Sequence, residues 1–233
     1  MSARGWFVTG TDTGVGKTVV AIALLEALGR RGLRCAAMKP VAAGAKVKDG
    51  ALRNADAEAL REAAQVRADY ATVNPYVFAP AIAPHIAAEM AGVRISLDHV
   101  AAQFSSLAAR ADCVVVEGAG GWLVPLDERC SVADLAARVG LPVILVVGMR
   151  LGCLNHALLT ARSIQASGLA LAGWVGNCID PSFACLEQNL HALEARLAAP
   201  MLGRIPWLRE PVDPVQAAAG LDRHFLSSGA EDF

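Results

Sequence analysis

A chain of 233 residues with 55% hydrophobic content carries enough apolar side chain for a sizeable core and suits a single domain over 1–233. Its formal net charge of −1 offers no basic surplus for a phosphate backbone, so nucleic acid is not an expected partner and any anion site must be local. No secretory signal pattern opens the chain, and the strongest apolar run, Leu141 to Met149, is too short to span a bilayer and contains Pro142 and Gly148, so a cytoplasmic protein without a membrane partner is expected.

The first predicted element is an apolar strand, Gly5 to Thr9. It runs into Gly10-Thr-Asp-Thr-Gly-Val-Gly-Lys-Thr18, and a helical pattern follows from Val19 to Leu28. A glycine-rich turn between strand and helix is where a phosphate loop belongs. Gly10, Gly14 and Gly16 free the backbone to aim successive N–H groups at phosphates, and the helix adds its positive end. Lys17 supplies a point charge and the Thr18 hydroxyl a ligand for Mg²⁺. The spacing is unusual, with five residues rather than four between Gly10 and Gly16.

Arg30-Arg31-Gly32 stops the first helix, and a strand over Arg34 to Met38 leads directly into Lys39-Pro40. Residues 41–53 read as a loop, and Asn54-Ala55-Asp56 caps a helix reaching about Gln65. From Tyr70 to Pro84 three prolines and no clear period predict an irregular segment with room for a lid or a substrate wall. Helices follow over 85–91 and 97–110. Cys113 to Val116 is a β-branched run suited to a strand buried on both faces, and Glu117-Gly-Ala-Gly-Gly121 succeeds it. A helix over 131–139, a strand over Val143 to Val147 and a helix over Asn155 to Ala166 come next. A strand over Leu169 to Val175, a helix over Ser182 to Ala198, a strand over Met201 to Ile205 and a surface loop over 206–217 complete the order.

Six cysteines without a C-x-x-C pair are expected to be reduced, five of them filling apolar or helical positions. His85 and Glu89 are four apart and read as a solvated helical pair rather than metal ligands.

Strand and helix alternate from end to end, which predicts a three-layer α/β domain with a mostly parallel sheet. Ligands gather at the carboxyl ends of such strands. The residues there are the phosphate loop, Lys39, Glu117 to Gly121, Arg150 to Asn155, Asn177 and the loop after Ile205. Glu117, ending a buried strand, needs a cation and suits the second acidic position of a Mg²⁺ site. Asp56 reads first as a helix-cap residue and second as a metal ligand. Lys39 aims a second positive charge at the pocket of Lys17. Two lysines and a divalent ion imply phosphoryl transfer to an acceptor that is itself anionic.

Gly10 to Thr18, Lys39-Pro-Val-Ala-Ala-Gly44, Asn54-Ala-Asp56, Val73-Asn-Pro-Tyr76, Pro84-His85, Val116-Glu-Gly-Ala-Gly-Gly-Trp122, Leu151-Gly-Cys-Leu-Asn-His156 and Gly203-Arg-Ile-Pro-Trp-Leu208 together resemble the dethiobiotin synthetase family. The resemblance covers nearly the whole chain. It implies a P-loop NTPase-type fold and a homodimeric ATP-dependent cyclo-ligase, with its active site at the subunit interface. The implied substrates are 7,8-diaminononanoate, CO₂ and ATP, with Mg²⁺ as cofactor.

By resemblance, Lys39 and Lys17 are catalytic, and Thr18, Asp56 and Glu117 form the Mg²⁺ set. Gly14, Val15, Gly16, Lys17, Thr18 and Val19 cradle the phosphates, joined by Gly118, Ala119 and Gly120. Asn177, Cys178, Pro206, Trp207, Leu208 and Asp213 lie on the adenine side. Thr13, Lys39 and Ala43 meet the substrate, whose carboxylate is received across the dimer interface by Gly152, Cys153, Leu154 and Asn155. The family often carries a hydroxyl residue where this chain has Ala43, which removes one substrate hydrogen bond, and commonly Glu at the Gly14 position.

A nucleotide-switch ATPase of the chromosome-partition or septum-positioning kind shares this fold but resembles K-G-G-x-G-K-T in its loop, where this chain reads Thr11-Asp12-Thr13. Asn177-Cys178-Ile179-Asp180 echoes the guanine-reading N-K-x-D motif without its lysine. An amide-forming ligase of related fold would usually carry a further glutaminase domain.

Overall fold

The computed structural model describes residues 4–209 and 212–221. In chain order its elements are β1 (Gly5–Gly10), α1 (Lys17–Gly29), β2 (Cys35–Met38), β3 (Val41–Ala42), β4 (Lys46–Lys48), β5 (Ala51–Arg53) and α2 (Ala55–Ala63). There follow α3 (Tyr70–Val73), β6 (Tyr76–Val77), α4 (Pro84–Met90), α5 (Leu97–Ala108), β7 (Cys113–Glu117) and α6 (Val132–Val139). The last are β8 (Val143–Met149), α7 (Cys153–Ala166), β9 (Leu171–Cys178), α8 (Leu186–Glu194), β10 (Met201–Ile205) and α9 (Pro214–Ala219).

Six strands pair in the order β10-β9-β8-β1-β7-β2, and every pairing is parallel. Alternation along each strand splits its side chains between two cores. Phe7, Met38, Val114, Val116 and Leu145 pack on one face with Phe104 of α5, Leu135 of α6 and Ile164 of α7. Trp6, Val8, Val115, Ile144 and Val146 pack on the other with Leu24 of α1, Leu60 of α2 and Ala217 of α9. Helices therefore cover both faces, the expected three layers. β1 lies between β7 and β8, so all three carboxyl ends open on one crevice.

Several local expectations are corrected. Residues 41–53 are not a plain loop. β4 and β5 form an antiparallel hairpin in which Lys46 faces Arg53. Its turn is Asp49-Gly50, both at positive φ (51° and 76°), the mirror-image geometry that matches strand twist. β3 pairs with β6 in a two-strand parallel ribbon, giving order to the stretch expected to be irregular. Two residues per strand are too few to leave a periodic signal.

The helix expected from Ser182 begins instead at Leu186. Both the N–H and the hydroxyl of Ser182 donate to Asp180 Oδ1, at 2.9 and 2.7 Å, so that serine closes a turn rather than a helix. β9 runs on to Cys178, making Asn177 a strand residue. Part of the expected 206–217 loop is α9, with Asp213 as its N-cap and Pro214 in its first turn; Glu210 and Pro211 lie outside the described residues. All six cysteines are free, but Cys185 is exposed at the start of α8 and Cys130 only half-buried, against the expectation of wholly apolar or helical settings. Among the described residues no helix is long and apolar enough to cross a membrane.

Candidate active site

The loop from Gly10 to Lys17 leaves the buried strand β1 and ends at Gly16, which sits at φ 86° as the N-cap of α1. No side chain caps this helix, so its first N–H groups stay available to an anion. Only glycine fits here, because a Cβ would lie 2.0 Å from Nδ2 of Asn177 in a conformation closed to other residues. The Asn177 amide donates to the Val15 carbonyl at 2.9 Å, stitching the loop to the end of β9.

Lys17 and Lys39 are both buried and near enough to repel one another. Lys17 Nζ donates to the Asp12 carbonyl at 3.0 Å. Burial, reinforced by repulsion from Lys39, lowers its pKa to about 8, against the pull of Glu117, Asp56 and Asp12. Burial alone would lower Lys39 too, but the Glu117 and Asp56 carboxylates outweigh it and raise its pKa.

The carboxylate of Glu117 ends β7 at 1% exposure, directly opposite Val8 of β1. Its Oε1 accepts from Lys39 Nζ and from the Thr18 hydroxyl, the latter at 3.0 Å. Lys39 Nζ also reaches Asp56 Oδ2 and the Gly118 carbonyl, each at 3.4 Å. Lys17, Thr18, Lys39, Asp56, Glu117 and Gly118, singled out from sequence, thus form one interacting cluster.

Oε2 of Glu117 is buried and has no hydrogen-bond partner. An orphaned carboxylate oxygen beside a hydroxyl and a second carboxylate is a donor set for a hard divalent cation. Among the described residues no three His, Cys, Asp or Glu side chains converge. A fit to Mg²⁺ needs only one or two protein carboxylates, because that ion keeps water and phosphate oxygens in its shell. Asp56 lies in the first turn of α2, and the cap role expected of it belongs to Asn54, whose Oδ1 accepts from the Ala57 N–H. Its carboxylate, about half-exposed, is left to pair with Lys39 in the crevice.

Lys39 is held by Val73, Asn74 and Tyr70, to which the sequence assigned no role, and through them by Asn54, read only as a helix cap. Its N–H donates to Val73 O at 2.8 Å, and its carbonyl accepts from Asn74 Nδ2 at 2.6 Å. Asn74 Oδ1 accepts from the Tyr70 hydroxyl, which in turn accepts from the Asn54 N–H. Asn54 Nδ2 donates to the carbonyl of Ala43, fixing the backbone at that position. The sequence offered only the asparagine before Pro75 in Val73-Asn-Pro-Tyr76; that it is buried and satisfies backbone groups is decided by the fold.

A cavity of about 400 Å³ adjoins the loop, walled by Gly14, Gly16, Val19, Asn177, Cys178 and Pro206 to Leu208. Asn177 spends its amide donor on Val15, so Oδ1 remains as an acceptor. Val212 rather than Asp213 lines this space; Asp213 caps α9 by accepting from the Val215 N–H. Thr13 stands beside Gly120, bringing the two glycine loops together, with half-buried Ala119 next in line.

Gly152, Cys153, Leu154 and Asn155 open α7 just past β8, again without a side-chain cap. They join the phosphate loop by way of Arg150, whose guanidinium pairs with Asp12 Oδ2 at 2.5 Å.

Residues 4–215 match the sequence family described as an AAA domain. The chain is 53% identical over 225 residues to the ATP-dependent dethiobiotin synthetase BioD of Pseudomonas aeruginosa (strain UCBPP-PA14), covering 96% of this chain and 98% of that protein. It is 52% identical over 218 residues to the corresponding protein of Aromatoleum aromaticum, covering 94% and 96%. Among solved structures it resembles the cell division ATPase MinD of Pyrococcus furiosus, with a TM-score of 0.56 at 19% identity over 98% of this chain and 99% of that one, a likeness of P-loop NTPase fold.

Proposed function

The chain belongs to the ATP-dependent dethiobiotin synthetase family, and on that premise we propose that it closes the ureido ring of dethiobiotin from 7,8-diaminononanoate, CO₂ and ATP, with Mg²⁺. The observation carrying this reading is Lys39. A second buried lysine, locked to Glu117 and near enough to repel Lys17, puts a second cation beside the phosphate loop, beyond what a nucleotide alone requires. It suits a reaction in which one anion attacks another.

One amine of the diamine adds to CO₂ and loses a proton, giving a carbamate. The carbamate oxygen attacks the γ-phosphorus as the bond to ADP breaks, forming a carbamic-phosphoric anhydride. The neighbouring amine then attacks the carbonyl carbon, expels phosphate and loses its proton. Lys17 and Lys39 offset the repulsion between carbamate and triphosphate. Thr18, Asp56 and Glu117 would hold the Mg²⁺, which when bound supplies charge neutralisation on the phosphates. Ring closure needs positioning above all, since both amines belong to one held molecule.

The base would enter the cavity beside Asn177, with Oδ1 accepting from an exocyclic amine. Gly152 to Asn155 would receive the substrate carboxylate at a helix end, offered to the active site of a second copy. Leu151 at 92% exposure precedes that turn and Leu159 at 57% lies one helical turn beyond it in α7, apolar side chains that suit a subunit interface. A cytoplasmic homodimer acting on small molecules completes the reading.

The deciding assay supplies diaminononanoate, bicarbonate, Mg²⁺ and ATP. Dethiobiotin formed one-for-one with phosphate is the expected result. Phosphate release that does not depend on the diamine would defeat the proposal.

A further inference from the structure

Arg150 is a residue for which the reaction above has no use. It follows β8, the strand beside β1, and its carbonyl accepts from the Cys153 N–H at 3.0 Å, so it forms the turn that opens α7. Its guanidinium grips Asp12, which has three attachments in the phosphate loop. Asp12 Oδ2 takes Arg150, Oδ1 accepts from the Thr13 N–H at 2.7 Å, and its carbonyl accepts from Lys17 Nζ at 3.0 Å. The Thr11 N–H adds a bond to the Val146 carbonyl of the same strand, at 3.0 Å.

Both partners of the pair are roughly half-exposed, at 42% and 47%. An ion pair so placed adds little to stability. What it does is fix the position of the loop backbone relative to the α7 turn. We propose that Arg150 is a positioning residue that couples occupancy of the phosphate loop to affinity for the substrate carboxylate at Gly152 to Asn155. The proposal rests on the assignment of the carboxylate to that turn.

The physical link is Lys17. Phosphate oxygens in the loop compete for the ammonium that the Asp12 carbonyl holds. Filling the loop therefore loosens that peptide and leaves the Arg150 contact to set where Asp12, and with it the turn, comes to rest. A nucleotide shifts the turn only through such a differential contact. Because the turn serves a neighbouring site in a dimer, the linkage runs from the nucleotide of one site to the diamine of the other; a saturating analogue fills both.

The test is calorimetric titration of the full chain with diaminononanoate, without and with a saturating non-hydrolysable Mg-ATP analogue. In the native protein the analogue tightens diamine binding by about fivefold or more. In Arg150→Gln and in Asp12→Asn, which keeps the Thr13 acceptor, this tightening falls below about twofold, and the double variant loses no more than either single one. Arg150→Lys restores part of it. Turnover at saturation of both substrates changes less than the diamine KM does, a split that a general loss of structure would not give. Tightening that survives in Arg150→Gln, or losses that add in the double variant, would overturn the proposal. A native protein that binds nucleotide but no diamine would instead overturn the assignment of the carboxylate.

Discussion

At the scale of single residues, exposure separates charges that matter chemically from those that do not. Lys48 pairs with Glu58 at 2.9 Å, but the lysine is 65% exposed and water competes for every part of that contact. Lys39 meets Glu117 with both side chains nearly sealed from solvent. Removing one member of a buried pair strands the other, at a cost of about 3–5 kcal/mol. Lys39→Ala should therefore destabilise the metal-free protein by about 3 kcal/mol in urea denaturation. It should also lower turnover by at least about a hundredfold, while ATP affinity stays within about threefold. Near-normal turnover would remove Lys39 from the catalytic set. Lys48→Ala, by the same measurements, changes neither. The sequence named Lys39 and Glu117 from their places after strands and Thr18 from the phosphate loop; what it could not convey was that they touch, because 78 residues separate the first two.

At the scale of elements, helix ends divide into two kinds. α2, α5 and α6 begin at Asn54, Ser96 and Ser131, whose side chains accept from the first turn. α1 and α7 begin at glycines and have no side-chain cap, although in α7 the Cys153 N–H is taken by the Arg150 carbonyl; these are the two helices assigned to anions, while α3, α4 and α8 also lack a side-chain cap. α6 shows the closed kind at its fullest. The N–H and hydroxyl of Ser131 both donate to Asp134 Oδ2, at 2.7 and 2.6 Å, and the Asp134 N–H returns to Ser131 Oγ.

These bonds from Ser131 hold the Asp134 carboxyl below its ordinary pKa. A carboxylate depressed by folding contributes stability that is present above its unfolded value near 3.9 and is lost as pH falls through the folded value. Asp134→Ala should therefore cost about 1 kcal/mol at pH 7. The deficit should shrink as pH falls through the folded pKa, which lies below the ordinary value, because the native carboxyl is then protonated as well. Denaturation series at pH 7 and at descending acid pH check it, and a deficit independent of pH would mean the carboxylate contributes nothing through these bonds.

The short elements show where local reading stops. Asp49-Gly50 and Asp213-Pro214 carried turn and cap signals inside stretches read as loops, and the structure places a hairpin and a helix there. β3 and β6 carried none. Their two residues are ordered by pairing across 33 intervening positions and by the hold of Asn74 on Lys39.

At the scale of the whole molecule, the two cores and the crevice are parts of one arrangement: β1, central in the sheet, anchors both the phosphate loop and the floor on which β7 delivers Glu117. A ligand seated there bridges α1, β2, β7 and β9, so it stabilises the fold as a unit. A nucleotide at a hundred times its Kd should add about 2.7 kcal/mol, read as a rise in Tm. Removing Mg²⁺ with EDTA should abolish most of that rise, since Thr18, Asp56 and Glu117 would then face the triphosphate without a cation between them. A shift insensitive to EDTA would place the metal elsewhere.

The alternation of the main strands and helices, from which the parallel sheet was inferred, and the phosphate loop were legible in the linear chain because each depends on neighbours within a few residues: apolar runs, glycines and the Gly-Lys-Thr triplet. The single cluster of Lys17, Lys39, Asp56 and Glu117, the Asn54-Tyr70-Asn74 chain behind Lys39 and the grip of Arg150 on Asp12 exist only once the sheet brings distant strand ends together. Proximity across the fold is set by strand order, and strand order leaves no mark on local spacing.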